Sequence, residues 1–293
     1  MPLPLKRASV FADGLDHPEC VAYHPDGTFY AGGEAGQIYR ISADGKRVEE
    51  IARSDGGFIL GVAISPDGTW LAACDLRKKV VWRLDLNGRT LQEFAGGFSI
   101  PNHLAFTTDG DLYVTDSGAF RQVNGKIYKF DATGVGGVWH AGPFNFANGI
   151  AIGPDRKALY VVCTWVPGVE RVEIREDGSA GKRSVFARFP RTCPDGLAFD
   201  RRGNLYVTCY APSRIYKVTP QRKVSVLIDD WEAHTLSNPT NIAFGGKNFD
   251  QLFAANLGRW HITKIDVKTR GLPLACHQAS SLGVDPGRGR GRR

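Results

Sequence analysis

The chain alternates between short apolar runs and Gly-rich turns in a pattern that returns six times. Each copy has an apolar triplet, a turn and then an aromatic or β-branched run; the copies span Cys20–Ala31, Gly61–Ala72, His103–Val114, Gly149–Tyr160, Gly196–Val207 and Asn241–Phe253. The alanine of each triplet falls at positions 22, 63, 105, 151, 198 and 243, so the spacings are 41, 42, 46, 47 and 45 residues. Repeats of ~40–50 residues with several short strands each are typical of β-propeller blades.

The strand patterns predict an all-β, six-bladed β-propeller with four antiparallel strands in each blade. The first strand of each copy is short and apolar on both faces, as an innermost strand should be, and the outer strands alternate. The last copy lacks a clear fourth strand, and residues 9–13 resemble residues 184–188. We therefore expect an N-terminal strand to close the last blade and remove an exposed edge. The predicted organisation is a single domain over 1–280 and a Gly/Arg-rich disordered tail over 281–293.

Composition excludes several other classes of protein. With 293 residues, 42% of them hydrophobic, the chain has ample material for a core and is not disordered. It contains no run long enough to span a bilayer and no apolar N-terminal stretch, so we expect a cytoplasmic protein without a membrane partner. Four Arg in the last seven residues leave the body with a net charge of only +3, so no nucleic-acid partner is expected.

The cysteines and histidines carry no recognisable metal or disulfide pattern. None of the six cysteines belongs to a Cys-x-x-Cys pair, and a chain of this size does not need disulfides. We interpret them as reduced and mostly as small core residues. The seven histidines lack the spacing of common zinc sites.

The copies differ at the position three residues before each alanine, where the innermost strand begins. We call these six residues the mouth ring, because innermost strands line the central axis and should place them around one end of the channel: Glu19, Leu60, Asn102, Asn148, Asp195 and Thr240. Asn148-Gly149 and Asp195-Gly196 also suit simple turns. Two carboxylates facing each other would repel unless one is protonated or a cation lies between them. Oxygen ligands favour one divalent ion, Ca²⁺ foremost, with Mg²⁺, Mn²⁺, Zn²⁺ or Fe²⁺ as further options.

Loops that follow the second strand of each blade should share the face of the mouth ring. They supply candidate substrate-binding residues in Asp116, Ser117, Trp165 and Tyr210, although the two aromatic residues equally suit a role in capping the blades. Strand alternation predicts that the side chain of His103 points away from the axis and has a structural role.

These residues resemble the family of senescence marker protein (regucalcin), gluconolactonase and luciferin-regenerating enzyme, across nearly the whole chain. The motifs are Pro18-Glu19-Cys20, Asn148-Gly149-Ile150 and Pro194-Asp195-Gly196, with a further Asn at 102. The resemblance implies that Glu19, Asn148 and Asp195 hold one divalent metal. It also implies that Asp195 is the general base and that Asn102 contacts the metal or the substrate.

Two departures from the family pattern concern the substrate. Sugar lactonases usually have Asp after the Asn at position 102 and often Arg two residues before it, whereas this chain has His103 and Ile100. Ile100, together with Leu60 in the mouth ring, favours a less polar substrate.

The resemblance implies a metal-dependent lactonase, a carboxylic ester hydrolase that acts on a small cyclic ester as a monomer or weak homo-oligomer. Two alternatives stay open. One is a non-catalytic, metal-stabilised propeller that binds a metabolite or a protein partner. The other is a strictosidine-synthase-like enzyme with carbon–nitrogen bond chemistry.

Overall fold

The computed structural model describes residues 1–279, and in this range the strands form six four-stranded antiparallel sheets. Blade 1 has β2 (Val21–Tyr23), β3 (Phe29–Gly32), β4 (Gln37–Ile41) and β5 (Val48–Arg53). Blade 2 has β6 (Ile59–Ile64), β7 (Trp70–Asp75), β8 (Val80–Asp85) and β9 (Leu91–Gly96). Blade 3 has β10 (Pro101–Phe106), β11 (Leu112–Asp116), β12 (Gly125–Phe130) and β13 (Gly136–Phe144).

The second half of the ring follows the same order. Blade 4 has β14 (Ala147–Ile152), β15 (Ala158–Cys163), β16 (Gly168–Ile174) and β17 (Ala180–Arg188). Blade 5 has β18 (Cys193–Phe199), β19 (Leu205–Ala211), β20 (Arg214–Val218) and β21 (Val224–Asp229). Blade 6 has β22 (Pro239–Gly245), β23 (Gln251–Asn256) and β24 (His261–Asp266) with β1 (Ala8–Ala12). A 3₁₀ turn (Leu5–Arg7) precedes β1, and α1 (Ala275–Ala279) follows the last blade.

The N-terminal strand closes the ring, as the sequence predicts. Strand β1 pairs antiparallel with β24, with Ala8 opposite Ile265 and Ser9 opposite Lys264. The first strands of neighbouring blades, including those of blades 1 and 6, also contact one another around the axis. The six-bladed β-propeller and the closing strand are both confirmed. The predicted tail over 281–293 lies outside the described residues.

The hydrophobic core lies between neighbouring blades. One cluster joins Trp70 and Val81 of blade 2 to Leu104 and Leu112 of blade 3. Corresponding clusters fill the other interfaces, because a blade buries both faces of its sheet and each face must be covered by the next blade. The six cysteines are unpaired, and five of them are buried. Within residues 1–279, no helix combines the length and the apolar character needed to cross a membrane.

A β-bulge interrupts the first strand in blades 2 to 6. In blade 3, for example, Pro101 pairs with Asp116 and Leu104 pairs with Val114. Two residues of β10 therefore lie opposite a single residue of β11. Equivalent register shifts occur in β6, β14, β18 and β22. A bulge bends the strand and redirects the side chains at that point. The five mouth-ring residues of these blades all lie within a bulge.

Threonine hydroxyls tie two of these bulges to the next blade. Thr115 Oγ1 accepts a hydrogen bond from His103 N (3.0 Å) and donates one to Asn148 O (2.7 Å). Thr208 Oγ1 accepts from Gly196 N (2.8 Å) and donates to Thr240 O in the same way. The two copies of Leu-Tyr-Val-Thr therefore place a hydroxyl where the bulge leaves an amide without a strand partner.

Candidate functional site

Two carboxyl groups of the mouth ring are partly buried and lie close enough to influence each other. Burial, with a further contribution from the charge of Glu34, raises the pKa of Glu19 to about 7. Burial also raises the pKa of Asp195 well above its usual range; repulsion from Glu19 adds to this effect, and a hydrogen bond with Asn148 opposes it. Among residues 1–279, no Lys, Arg or His forms an ion pair with either carboxyl group.

Asn148 lies beside this pair and contacts Asp195 through its side-chain amide. The side chain is buried, and its Nδ2 donates to Thr164 Oγ1 (3.2 Å), which in turn donates to Pro194 O (2.9 Å). The second amide hydrogen accounts for the hydrogen bond with Asp195, because a carboxylate can only accept. Asn148 Oδ1 is therefore the atom available to a cation.

Asn102 is oriented by the loop that follows β11. Its Nδ2 donates to Ser117 Oγ (3.1 Å), and Ser117 Oγ donates to Ala147 O (2.6 Å) at the start of blade 4. Ser117 is fully buried, so its contact with the site runs through Asn102.

Asp116 holds the segment that carries Ile100. Its carboxylate oxygens accept hydrogen bonds from the backbone N–H groups of Ser99 (2.9 Å), Ile100 (2.8 Å) and Gly118 (3.0 Å). These bonds occupy the carboxylate, so we assign Asp116 to positioning this segment. Ile100 is partly buried against the hydrophobic cluster that contains Leu60.

The two aromatic candidates lie at different parts of the mouth. Trp165 is 40% exposed and packs against Phe146 and Phe120, at ring-centroid distances of 5.3 and 5.8 Å. Tyr210 is 38% exposed, and its carbonyl oxygen accepts a hydrogen bond from Asn238 Nδ2 (2.9 Å). Phe120 and Phe146 were not predicted from the sequence, because both lie in connections that differ between the copies.

His103 does not point away from the axis, contrary to the expectation from strand alternation. Its Nε2 lies 3.6 Å from Cys20 Sγ in blade 1, and its Nδ1 lies 3.5 Å from Ile150 N in blade 4. Blades 1 and 4 face each other across the channel, so the ring of His103 crosses the channel beside Gly61, where a side chain would collide with it. The bulge causes the difference because it breaks the alternation. Burial lowers the pKa of His103 to about 4, so the ring is neutral.

Below His103 the channel widens into a cavity of about 590 Å³. Innermost strands of all six blades line it, and residues 272–276 together with Gln278 lie across its far end. The imidazole therefore separates the polar mouth from this more apolar space.

A group of charged residues borders the mouth at blades 1 and 2. His17 Nδ1 lies 2.9 Å from Asp16 Oδ1 and 3.1 Å from Glu34 Oε2, and Glu34 also pairs with Arg77 (3.1 Å). These charges are satisfied among themselves. Charge at this side of the mouth contrasts with the aromatic residues at blades 3 and 4.

The donor set suits a hard cation better than a soft one. Within the described part of the chain, no group of three or more His, Cys, Asp and Glu is placed to hold a metal. Glu19, Asn148 and Asp195 instead combine two carboxylates with an amide oxygen, and buried carboxylates that repel each other are stabilised by a cation. These residues therefore fit a divalent ion with oxygen ligands.

Fold and site together define a six-bladed β-propeller with a partly buried acidic pair at one mouth of its channel. The family model described as "SMP-30/Gluconolactonase/LRE-like region" matches residues 98–256, more than half of the chain. The chain belongs to this family. A second model, for the N-terminal part of strictosidine synthase-like proteins, matches residues 5–41.

Known proteins agree with this assignment at low sequence identity. The chain is 24% identical over 202 residues to lactonase drp35 of Staphylococcus haemolyticus, which covers 61% of this chain and 59% of the relative. It is 26% identical over 218 residues to protein strictosidine synthase-like 6 of Arabidopsis thaliana, covering 66% and 56%. The chain thus spans less than two thirds of the length of these curated relatives.

A solved structure extends the likeness over the whole fold. The calcium-binding protein regucalcin of Agrobacterium tumefaciens superimposes with a TM-score of 0.76 at 16% identity, covering 92% of this chain and 97% of the other. At this identity the likeness concerns the fold.

Proposed function

We propose that this protein is a divalent-metal-dependent lactonase whose active site is the mouth ring. The observation that carries the proposal is the partly buried pair Glu19 and Asp195, which has no basic partner among residues 1–279 and lies beside Asn148. Such a pair is costly to keep charged unless a cation neutralises it. Support also comes from the family of the chain and from the lactonase named among its relatives.

Glu19, Asn148 and Asp195 would hold the ion, with Ca²⁺ as the first choice. The description of the regucalcin neighbour as calcium-binding favours this ion. A bound divalent ion would polarise the lactone carbonyl and stabilise negative charge that develops on its oxygen.

Side chains of the protein would then activate the water and transfer the protons. Asp195 would accept a proton from the water whose oxygen attacks the carbonyl carbon. The bond between that carbon and the ring oxygen breaks, and the ring oxygen receives the proton that Asp195 took from the water, which gives a hydroxy acid. Asn102, held by Ser117, would orient the ester through the second hydrogen of its Nδ2, which an ester oxygen can accept. Ile100, Trp165 and Tyr210 would contact the part of the substrate that does not react.

The match to strictosidine synthase-like proteins favours one second candidate, a propeller enzyme with another reaction at the same mouth. That enzyme would use a carboxyl group of the ring as an acid without holding a metal. The combination of Asp195 and Asn148 with Glu19 supports the metal-dependent hydrolase instead.

Metal content and lactone hydrolysis test the proposal together. We expect the protein purified without chelator to contain one divalent ion per chain, measured by elemental analysis, and to hydrolyse members of a lactone panel. Chelator should abolish turnover and added Ca²⁺ should restore it, while Asp195→Ala should lower kcat/KM by about 10³-fold. A bound ion without turnover on any lactone would leave a binding protein, and absence of any bound ion would overturn the site.

A further inference from the structure

Three aromatic residues form a half-exposed cluster at the mouth beside blades 3 and 4. We call Phe120, Phe146 and Trp165 the aromatic arc. Their ring centroids lie 5.3 to 6.2 Å apart, and Phe120 stands edge-on to both of the others. Phe120 is 60% exposed and Trp165 is 40% exposed. Large aromatic groups left in water at a concave site are typical of ligand-binding surfaces.

Each member of the aromatic arc is joined through the backbone to a residue of the proposed active site. Phe146 is two residues before Asn148, and Trp165 follows Thr164, which accepts the hydrogen bond of the Asn148 amide. Phe120 is three residues after Ser117, which orients Asn102. The aromatic surface is thus continuous with the groups that would hold the ester.

The backbone holds these rings in place before any ligand arrives. Phe146 has φ = 61°, a left-handed conformation that is uncommon for a bulky residue, and its carbonyl oxygen accepts from Thr164 N (3.2 Å). The loop of Phe120 is fixed by Asn124, whose Oδ1 accepts from Ala119 N (2.8 Å). A rigid apolar surface binds with little loss of conformational entropy.

The opposite side of the mouth would repel an apolar group. There, Glu34 pairs with Arg77 (3.1 Å) and lies 3.1 Å from His17 Nδ1, so blades 1 and 2 offer polar groups to the polar part of a substrate.

We infer that the aromatic arc binds an aryl or alkyl substituent of the substrate, so that the preferred substrates are lactones with an apolar side group rather than polyhydroxylated sugar lactones. This inference rests on the proposed lactonase function for its chemistry. The position of the arc, however, predicts apolar selectivity for any ligand that reaches the mouth.

Paired substrates measure the selectivity directly. We expect the Ca²⁺-loaded enzyme to hydrolyse γ-phenyl-γ-butyrolactone with a kcat/KM at least about tenfold above that for γ-butyrolactone, and above that for D-glucono-δ-lactone. Phe120→Ala and Trp165→Ala should each reduce the phenyl preference severalfold. Trp231→Ala is the matched control, because Trp231 is an 84% exposed tryptophan in the loop after β21 and should leave the preference unchanged.

A binding measurement separates this inference from the hydrolytic function. By ligand-observed NMR titration, 3-phenylcyclopentanone should bind about tenfold more tightly than cyclopentanone, and Phe120→Ala should remove the difference. If no lactone is hydrolysed but this difference is found, the lactonase proposal fails and the apolar subsite stands. Equal affinities, equal turnover of the two γ-lactones, or a preference that survives both aromatic variants would overturn the inference.

Discussion

Blades 2 and 5 are built from the same repeat and carry opposite chemistry at the mouth ring. Both have a bulge in the first strand and a glycine directly after the ring residue. In blade 2 that ring residue is Leu60, buried in the cluster with Phe98, and in blade 5 it is Asp195, whose pKa is raised by burial. The repeated backbone therefore supplies a position near the axis, and the identity of the side chain there determines whether the residue packs in the core or is available for chemistry.

Replacing the acidic side chain of blade 5 with an amide of the same shape should have the largest effect on kcat. Asp195→Asn keeps an oxygen ligand but removes the proton acceptor, so we expect kcat to fall by about 10³-fold while an ion is still bound. Activity assays and elemental analysis on the same sample measure both properties. In blade 2, the volume-conserving Leu60→Met should leave kcat within a few-fold. A near-normal kcat in the Asp195→Asn variant would remove Asp195 as the base.

Removing the ion should make the stability of the protein depend on pH through the acidic pair. The pKa of Glu19 is about 7 in the fold against an ordinary value of 4.5, so the folded state holds a proton that the unfolded chain releases. The free energy of unfolding of the metal-free protein should therefore be unaffected by this group below pH 4.5 and should fall as pH rises through about 7. The loss is on the order of 3 kcal/mol, since each pKa unit corresponds to about 1.4 kcal/mol.

Urea unfolding in chelator between about pH 4.5 and 8 checks this expectation. Saturating Ca²⁺ should abolish the loss, and Glu19→Gln should remove the part of the loss that Glu19 causes while the part that the raised pKa of Asp195 causes remains. A pH-independent stability of the chelated wild type would contradict the raised pKa.

Replacing Gly61 or Gly196 with alanine should destabilise the protein in both cases but weaken ion binding only at Gly196. A Cβ on Gly61 would lie 2.6 Å from Asn102 O, and one on Gly196 would lie 2.6 Å from Asn241 Cα. Because each contact is with backbone, we expect a loss of about 1–3 kcal/mol for either alanine variant by urea unfolding. Ca²⁺ affinity should fall in Gly196→Ala alone, since Gly196 adjoins Asp195. Equal affinities in the two variants would show that Asp195 does not depend on this packing.

Removing the Thr208 hydroxyl, which supports the bulge of blade 5, should have the smallest effect of these changes. Thr208→Val removes the partner of Gly196 N and of Thr240 O, which should cost about 1–2 kcal/mol of unfolding free energy. Blade 2 has Cys74 at the corresponding position and does without this hydroxyl. Thr208→Ser retains the hydroxyl and should recover most of the loss. Equal losses for Val and Ser would assign the effect to packing of the methyl group.

The repeat spacing was sufficient to predict the blades, the closing strand and the mouth ring, because identical backbone positions recur wherever the triplet recurs. The side-chain direction of His103 was not predictable in this way, since the bulge that turns it toward the axis leaves no mark in the hydrophobic pattern. The aromatic arc was not predicted because Phe120 and Phe146 lie in loops that are not repeated between the copies. Asp116 is a candidate substrate-binding residue in sequence, and the structure adds that its carboxylate accepts hydrogen bonds from backbone amides of its own blade.

The pairing of β1 with β24 has a consequence for biosynthesis. Ser9 leaves the ribosome early, whereas its partner Lys264 emerges only after five blades have been made. Strand β24 therefore presents an unpaired edge until the two ends of the chain meet, and that meeting must close a loop of roughly 250 residues. Ring closure should be a late step of folding, and the stage before it is the one most exposed to aggregation and most in need of a chaperone.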